Sequence, residues 1–109
     1  MADTLKILGQ SKPAATTLTD AYTVPAATSA VISSILICNQ SATATAYRIS
    51  LAIAGAVDTA AQYIAYDRPI AGNATHEITV GVTLAATDVV RVYNTLATLS
   101  FNIVGVQVT

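Results

Sequence analysis

Three features of the sequence predict an all-β fold, a single antiparallel β-sandwich of jelly-roll-like type with about eight short strands. β-branched and aromatic residues recur in short runs, several of them with alternating polarity. Clusters of Gly, Pro, Asn and Asp separate those runs at the short spacings of a sandwich or barrel. No stretch carries a convincing helical pattern. The 109 residues fit one domain, spanning residues 1–109.

Residues 1–17 open with Leu5-Lys6-Ile7-Leu8-Gly9, read as a first edge strand or an N-terminal arm. Gln10 to Thr17 is polar, contains proline and reads as a loop. Asp20 to Val24 is a second strand, with Tyr22 and Val24 on one face, and Pro25 ends it because proline has no N–H for a ladder. Ala30 to Asn39 is the third and most apolar strand. Its Ile35-Leu36-Ile37-Cys38 run keeps both faces apolar, so an internal strand covered on both faces is expected. Asn39-Gln40-Ser41 stops it with turn-forming side chains.

Ala44 to Ala54 alternates most cleanly. Tyr47, Ile49, Leu51 and Ile53 share the predicted core face, with Arg48, Ser50, Ala52 and Ala54 opposite. Thr59 to Ala61 reads as either a loop or a turn of helix. Gln62 to Ile70 carries Tyr63, Ile64 and Tyr66 on a strand expected to end at Pro69, before the turn Ala71-Gly72-Asn73-Ala74. His76, Ile78, Val80 and Val82 then alternate against Glu77, Thr79 and Gly81. Thr83 to Thr87 is a loop, and Val89 to Tyr93 is a strand. The last strand starts with Leu99, Phe101 and Ile103 on one face. Its apolar phase then switches to Val104, Val106 and Val108 across Gly105. Such a switch marks a bulge, or else a strand covered on both faces by a partner.

Charged residues make up only 10% of the chain and hydrophobic residues 53%, against roughly 25% charged in ordinary soluble domains. So neutral a surface favours self-assembly or an obligate partner over a surface that simply stays soluble. The net charge is −1, and Lys6, Lys12, Arg48, Arg68 and Arg91 are scattered, so no nucleic-acid partner is expected. The single Cys38 excludes an internal disulfide and reads as a buried, inert thiol. The opening Met1-Ala2-Asp3-Thr4 has no secretory leader, and no run is long enough to span a membrane, so no membrane partner and synthesis without export are expected.

No constellation for catalysis, cofactor or metal stands out, and a non-enzymatic protein is predicted. His76 is the only histidine and alternates face with Glu77, so it reads as a surface or rim residue. Asp58, Asp67 and Asp88 sit at turns, where aspartate bonds local backbone. Asn39-Gln40-Ser41 and Asn73-Ala74-Thr75 match the glycosylation sequon and are read as turns. Tyr63, Tyr66, Arg68 and Tyr93 form the candidate interface, since tyrosine and arginine are favoured where proteins meet. Ordinary core or rim aromatics are the alternative.

Taken together, Ala21-Tyr22-Thr23-Val24-Pro25, the segment from Ser33 to Ser41 ending in Cys38-Asn39-Gln40-Ser41, Tyr63 to Ile70 and Gly81 to Tyr93 resemble a group of small virion proteins of tailed bacteriophages. The order of these segments, over nearly the whole chain, carries the resemblance. It implies a β-sandwich structural component of the particle, built as an oligomer, and leaves its place at head, neck or tail open; the first expectation is a capsid decoration, or cement, protein bound to the major capsid protein or another virion protein. A homo-oligomer, most often a trimer, is implied, with the protein made in the bacterial host cytoplasm and located in the virion. A neck, collar or tail-fibre-associated protein is the second expectation. From a different class, a carbohydrate-binding module would use Tyr63, Tyr66 and Tyr93 as stacking platforms.

Overall fold

The computed structural model describes residues 3–109. It contains eight strands: β1 (Asp3–Ser11), β2 (Thr19–Thr23), β3 (Ser29–Asn39), β4 (Thr45–Ala52), β5 (Tyr63–Ile70), β6 (Thr75–Leu84), β7 (Val89–Asn94) and β8 (Leu99–Val108). Two four-stranded antiparallel sheets are formed, in the orders β1-β8-β3-β6 and β2-β7-β4-β5. Every connection except β4–β5 passes from one sheet to the other. That winding is a jelly roll, two Greek keys folded into a sandwich. The only helical pieces among the described residues are two single 3₁₀ turns, Ile53–Gly55 and Ala60–Gln62.

The inner faces of the two sheets meet in one core. Ile32, Ile35 and Ile37 of β3 and Phe101 and Ile103 of β8 face Tyr47 and Ile49 of β4 and Val90 and Val92 of β7, all fully buried. Two buried asparagines pin loops to this core. Asn39 Nδ2 donates to the carbonyls of Thr43 (2.9 Å) and Ala71 (3.2 Å), while its Oδ1 accepts from the Ser41 N–H. Asn94 Nδ2 donates to the carbonyls of Pro13 (3.3 Å) and Ala14 (3.2 Å), and its Oδ1 accepts from the Leu99 N–H. Each side chain thus satisfies loop groups that would otherwise be unpaired at a strand end.

As predicted, β3 is internal to its sheet, but its two faces are not both covered. The ladder slips between Ile32 and Ser34 on both sides of β3. That bulge lets Ala30 and Ile32, then Ile35 and Ile37, all point inward. Val31, Leu36 and Cys38 therefore point outward and are only partly covered. Cys38 is half-buried rather than enclosed.

The phase switch at Gly105 has a related origin. β8 itself runs without a bulge; its neighbours β1 and β3 carry the irregularities, at Leu8 and Ser33. Gly105 is required by close approach, since a Cβ there would run into the Val31 carbonyl oxygen. Val104, Val106 and Val108 consequently line up on the outer face, with Gln107 turned inward to the Tyr22 hydroxyl (2.8 Å).

Other boundaries move by a few residues. β1 is an edge strand that extends to Ser11, and β6 extends to Leu84. β5 runs through Pro69 to Ile70, which is tolerated because β5 is an edge and needs no second ladder. Ile53 leaves the core face altogether. β4 ends at Ala52, and Ile53 begins a 3₁₀ turn in which Ala54 takes a left-handed φ of 53°, leaving Ile53 78% exposed. Ser50 does point away from the core, as expected, yet it is fully buried, because its cross-strand neighbours Arg91 and Tyr63 close over it.

Candidate functional site

Of the four residues in the predicted interface, the structure brings three together. Strand order explains how: β7, β4 and β5 lie side by side, so Tyr93, Arg48 and Tyr66 form a row across the outer face of that sheet. The Arg48 guanidinium lies between the two rings, 4.2 Å from the Tyr66 centroid and 4.5 Å from that of Tyr93. Cation–π attraction holds both rings against it. Tyr63 meets Tyr66 edge-on, with centroids 5.0 Å apart.

A bulge in β5 creates this arrangement. Between the pairs Tyr47–Arg68 and Ile49–Ala65, the single residue Arg48 faces both Tyr66 and Asp67, and Asp67 has a φ of 50°. Arg48 therefore gains a ring and a carboxylate from one strand: its Nε donates to Asp67 Oδ1 (2.6 Å) and its Nη2 to Oδ2 (3.2 Å). The paired guanidinium holds the Asp67 carboxyl below its ordinary pKa, and Asp67 in turn keeps Arg48 more firmly protonated. The same bulge removes Arg68 from the group by turning it to the inner side of the edge, beside Tyr47. There burial raises the Tyr47 hydroxyl's pKa and the Arg68 charge partly offsets the rise.

Arg48 is the member that the interface prediction lacked. Its outward direction was readable from the alternation of β4, but its neighbours depend on strand order and on the bulge. The aspartates also differ from expectation. Asp88 bonds backbone, accepting from the N–H groups of Ala85 and Ala54 (both 2.9 Å). Asp67 and Asp58 bond side chains instead, Asp58 Oδ2 accepting from the Tyr63 hydroxyl (2.8 Å). Burial and that bond raise the Tyr63 pKa. A shallow cleft of about 480 Å³ lies here, lined by Arg48, Asp58, Thr59, Ala60, Tyr63 and Tyr66. Within it Tyr63 and Asp58 are paired with each other, and Arg48 is paired with Asp67 just outside it.

His76 sits at the rim, with its Nδ1 2.9 Å from the Tyr47 hydroxyl in a contact between the two sheets. Among the described residues no three His, Cys, Asp or Glu side chains are grouped to hold a metal ion.

The outer face of the other sheet is different in kind. Cross-strand partners share a face, and the register places Leu5, Val106 and Val31 in one row, followed by Ile7, Val104 and Ser34 in the next. Val108 and Leu36 flank those rows. Leu5 is 80% exposed and Ile7 55% exposed. The acidic residues on this face, Asp3 beside Val108 and Glu77 beside Leu36, lie at two opposite corners, and Lys12 lines a shallow cleft with Gln10, Ser100 and Asn102. The result is an apolar patch two rows deep on β1, β8 and β3, bordered by Ser29, Ser34, Gln10 and Asn102 and by the threonines of β6. The phase switch at Gly105 was its signal in the sequence.

No family model matches the chain, and no curated protein matches it in sequence.

Proposed function

We propose that this protein is a non-enzymatic structural subunit of a tailed-phage particle, a decoration protein that seats on the assembled head. The observation that carries the structural reading is the apolar outer face of β1-β8-β3-β6, a surface made for cover. The ordered resemblance of the four segments supports the virion setting. A jelly roll with two broad outer faces suits a subunit that must meet a shell and its own kind at once. Electron microscopy of particles of the encoding phage, with the protein labelled by antibody, tests this. Density on the head surface is expected. Density confined to the neck or tail would reassign the position, and absence of the protein from purified particles would contradict the reading.

A second reading, carbohydrate recognition, has one observation in its favour: the cleft that combines Tyr63, Tyr66, Arg48 and Asp58. Arg48 already covers one face of Tyr66 and of Tyr93, which leaves less ring surface for a sugar. Saturable binding of an oligosaccharide, lost in Tyr66→Ala, would favour this reading.

A further inference from the structure

We infer that the cleft between β5 and the segment 55–62 binds a neutral sugar ring, with Asp58 and Arg48 as its polar partners and Tyr66 as its platform. This rests on the second reading above, carbohydrate recognition, and adds the class of sugar and the groups that hold it. It is compatible with seating on a head. The cleft opens on the outer face of β2-β7-β4-β5, opposite the apolar patch, so a subunit seated by that patch presents the cleft to solvent.

Both walls of the cleft are fixed before any ligand arrives. On one side, the segment that carries Asp58 is tied down along its length. Arg91 Nη2 and Nη1 donate to the carbonyls of Gly55 (3.1 Å) and Ala56 (2.7 Å). Gln62 Nε2 donates to the carbonyl of Val57 (3.0 Å), and the Tyr63 hydroxyl to Asp58 Oδ2 (2.8 Å). On the other side, Arg48 is locked by its fork to Asp67 and by the rings of Tyr66 and Tyr93. Side chains held in advance lose little freedom on binding, which favours affinity in a shallow site.

Those bonds leave part of each polar group unused. Among the described residues, nothing hydrogen-bonds Asp58 Oδ1, Arg48 Nη1 or the Thr59 hydroxyl, and all three residues line the cleft. A charged acceptor and a charged donor thus stand in one site, and bonds to charged groups are the stronger kind. A hydroxyl donates and accepts at once, so neighbouring sugar hydroxyls can serve both. Tyr66 is 60% exposed, and Arg48 takes only one of its faces. The ring surface that remains suits the C–H side of one sugar ring, an apolar body beside polar tips. The volume of about 480 Å³ lies in the range of small-ligand sites, roughly 300–1,000 Å³. Charge narrows the class further. Asp58 has a tyrosine hydroxyl and not a cation for its partner, so an anionic sugar would set a second negative charge beside it. A cationic ligand would meet the Arg48 guanidinium. A neutral sugar meets neither penalty.

Titration of the isotope-labelled full chain with oligosaccharides, followed by amide NMR shifts, tests the inference. The neutral probes are oligomers of glucose, galactose, mannose and N-acetylglucosamine; the acidic ones are oligogalacturonate and sialyllactose. At least one neutral probe should bind saturably, with a dissociation constant on the order of 1 mM, as expected when one sugar ring is held in a shallow cleft. Shifts should centre on Thr59, Ala60, Tyr63 and Tyr66. Asp58→Ala and Tyr66→Ala should each weaken binding at least tenfold, whereas Leu5→Lys, on the opposite sheet, should bind as the wild type does. Should a variant misfold, the shift map of the wild type still decides the site. Saturable binding at this cleft by acidic probes alone would overturn the neutral class and leave carbohydrate recognition standing. Binding by no probe, or shifts centred elsewhere, would overturn both. Asp58→Ala should still bind heads as the wild type does; loss of head binding in that variant would make the cleft a protein interface and overturn the inference.

Discussion

The two outer faces of this sandwich solve opposite problems. On the β2-β7-β4-β5 sheet, the conspicuous groups are occupied within the chain. Arg48 takes Asp67, Tyr66 and Tyr93; Tyr63 takes Asp58; Arg91 takes Asp20 and the carbonyls of Gly55 and Ala56. On the β1-β8-β3-β6 sheet, Leu5 and Ile7 stand largely in solvent. Tyrosine and arginine mark interfaces in general, but they can also satisfy one another, and here they do. Exposed aliphatic surface has no such internal remedy, because only removal from water satisfies it. Exposed aliphatic surface is therefore a stronger sign of a partner than the paired Tyr–Arg row, and it occurs both on the β1-β8-β3-β6 face and beside the other sheet, at Ile53 and Val57 between β4 and β5.

The largest effect should come from the interior on which both faces rest. Ile49 is fully buried opposite Val92. Ile49→Asp places an unpaired charge there, at a cost of several kcal/mol against a total stability of about 5–15 kcal/mol. Loss of a cooperative thermal transition is expected. A soluble, cooperatively melting variant would show that the two sheets do not share this core.

A smaller effect sharpens the contrast between the faces. Arg48→Ala removes the cation from two rings and the partner from Asp67, and should destabilise by about 1–2 kcal/mol, since exposed cation–π contacts and surface ion pairs are each modest. Urea unfolding measures it. Arg48→Lys should retain only part of the difference, because an ammonium makes neither the fork to Asp67 nor the planar stack. An Arg48→Ala variant as stable as the wild type would mean that the Tyr face is not internally knitted.

Smallest of all is the pH response of that pair. Asp67 titrates below its ordinary value when folded, so the unfolded chain binds its proton first as pH falls. The contribution is present in full above the ordinary aspartate pKa of about 3.9 and is lost as pH falls through the depressed folded value. Stability followed from pH 6 down to pH 2 should show a small acid loss that Asp67→Asn abolishes. Equal acid profiles in the two proteins would contradict the pairing.

What could be read in advance follows from how local each feature is. Alternation separated the inner from the outer side of β4 from Tyr47 to Ser50 and sorted the residues of β6 into two faces, because period two is a property of a single strand. Bulges are properties of pairs. The slip at Ser33 made a half-exposed β3 resemble a doubly covered strand, and the bulge at Asp67 moved Arg68 off the face it would share with Tyr66 by simple alternation. Gly105 was correctly marked as unusual, but the irregularity lay in the strands beside it. Arg48 became central only through the order β7-β4-β5, which no single segment encodes.

If the proposed function is right, the apolar face is the covered one and the Tyr–Arg face the free one. Hydroxyl-radical footprinting of the protein bound to heads against the free protein, read residue by residue, tests this. Ile7, Leu36, Val104 and Val106 should be protected in the assembly and open in the free protein, with Tyr66 and Tyr93 labelled equally in both. Protection of Tyr66 and Tyr93 in the assembly, with Ile7 and Val106 unchanged, would contradict it.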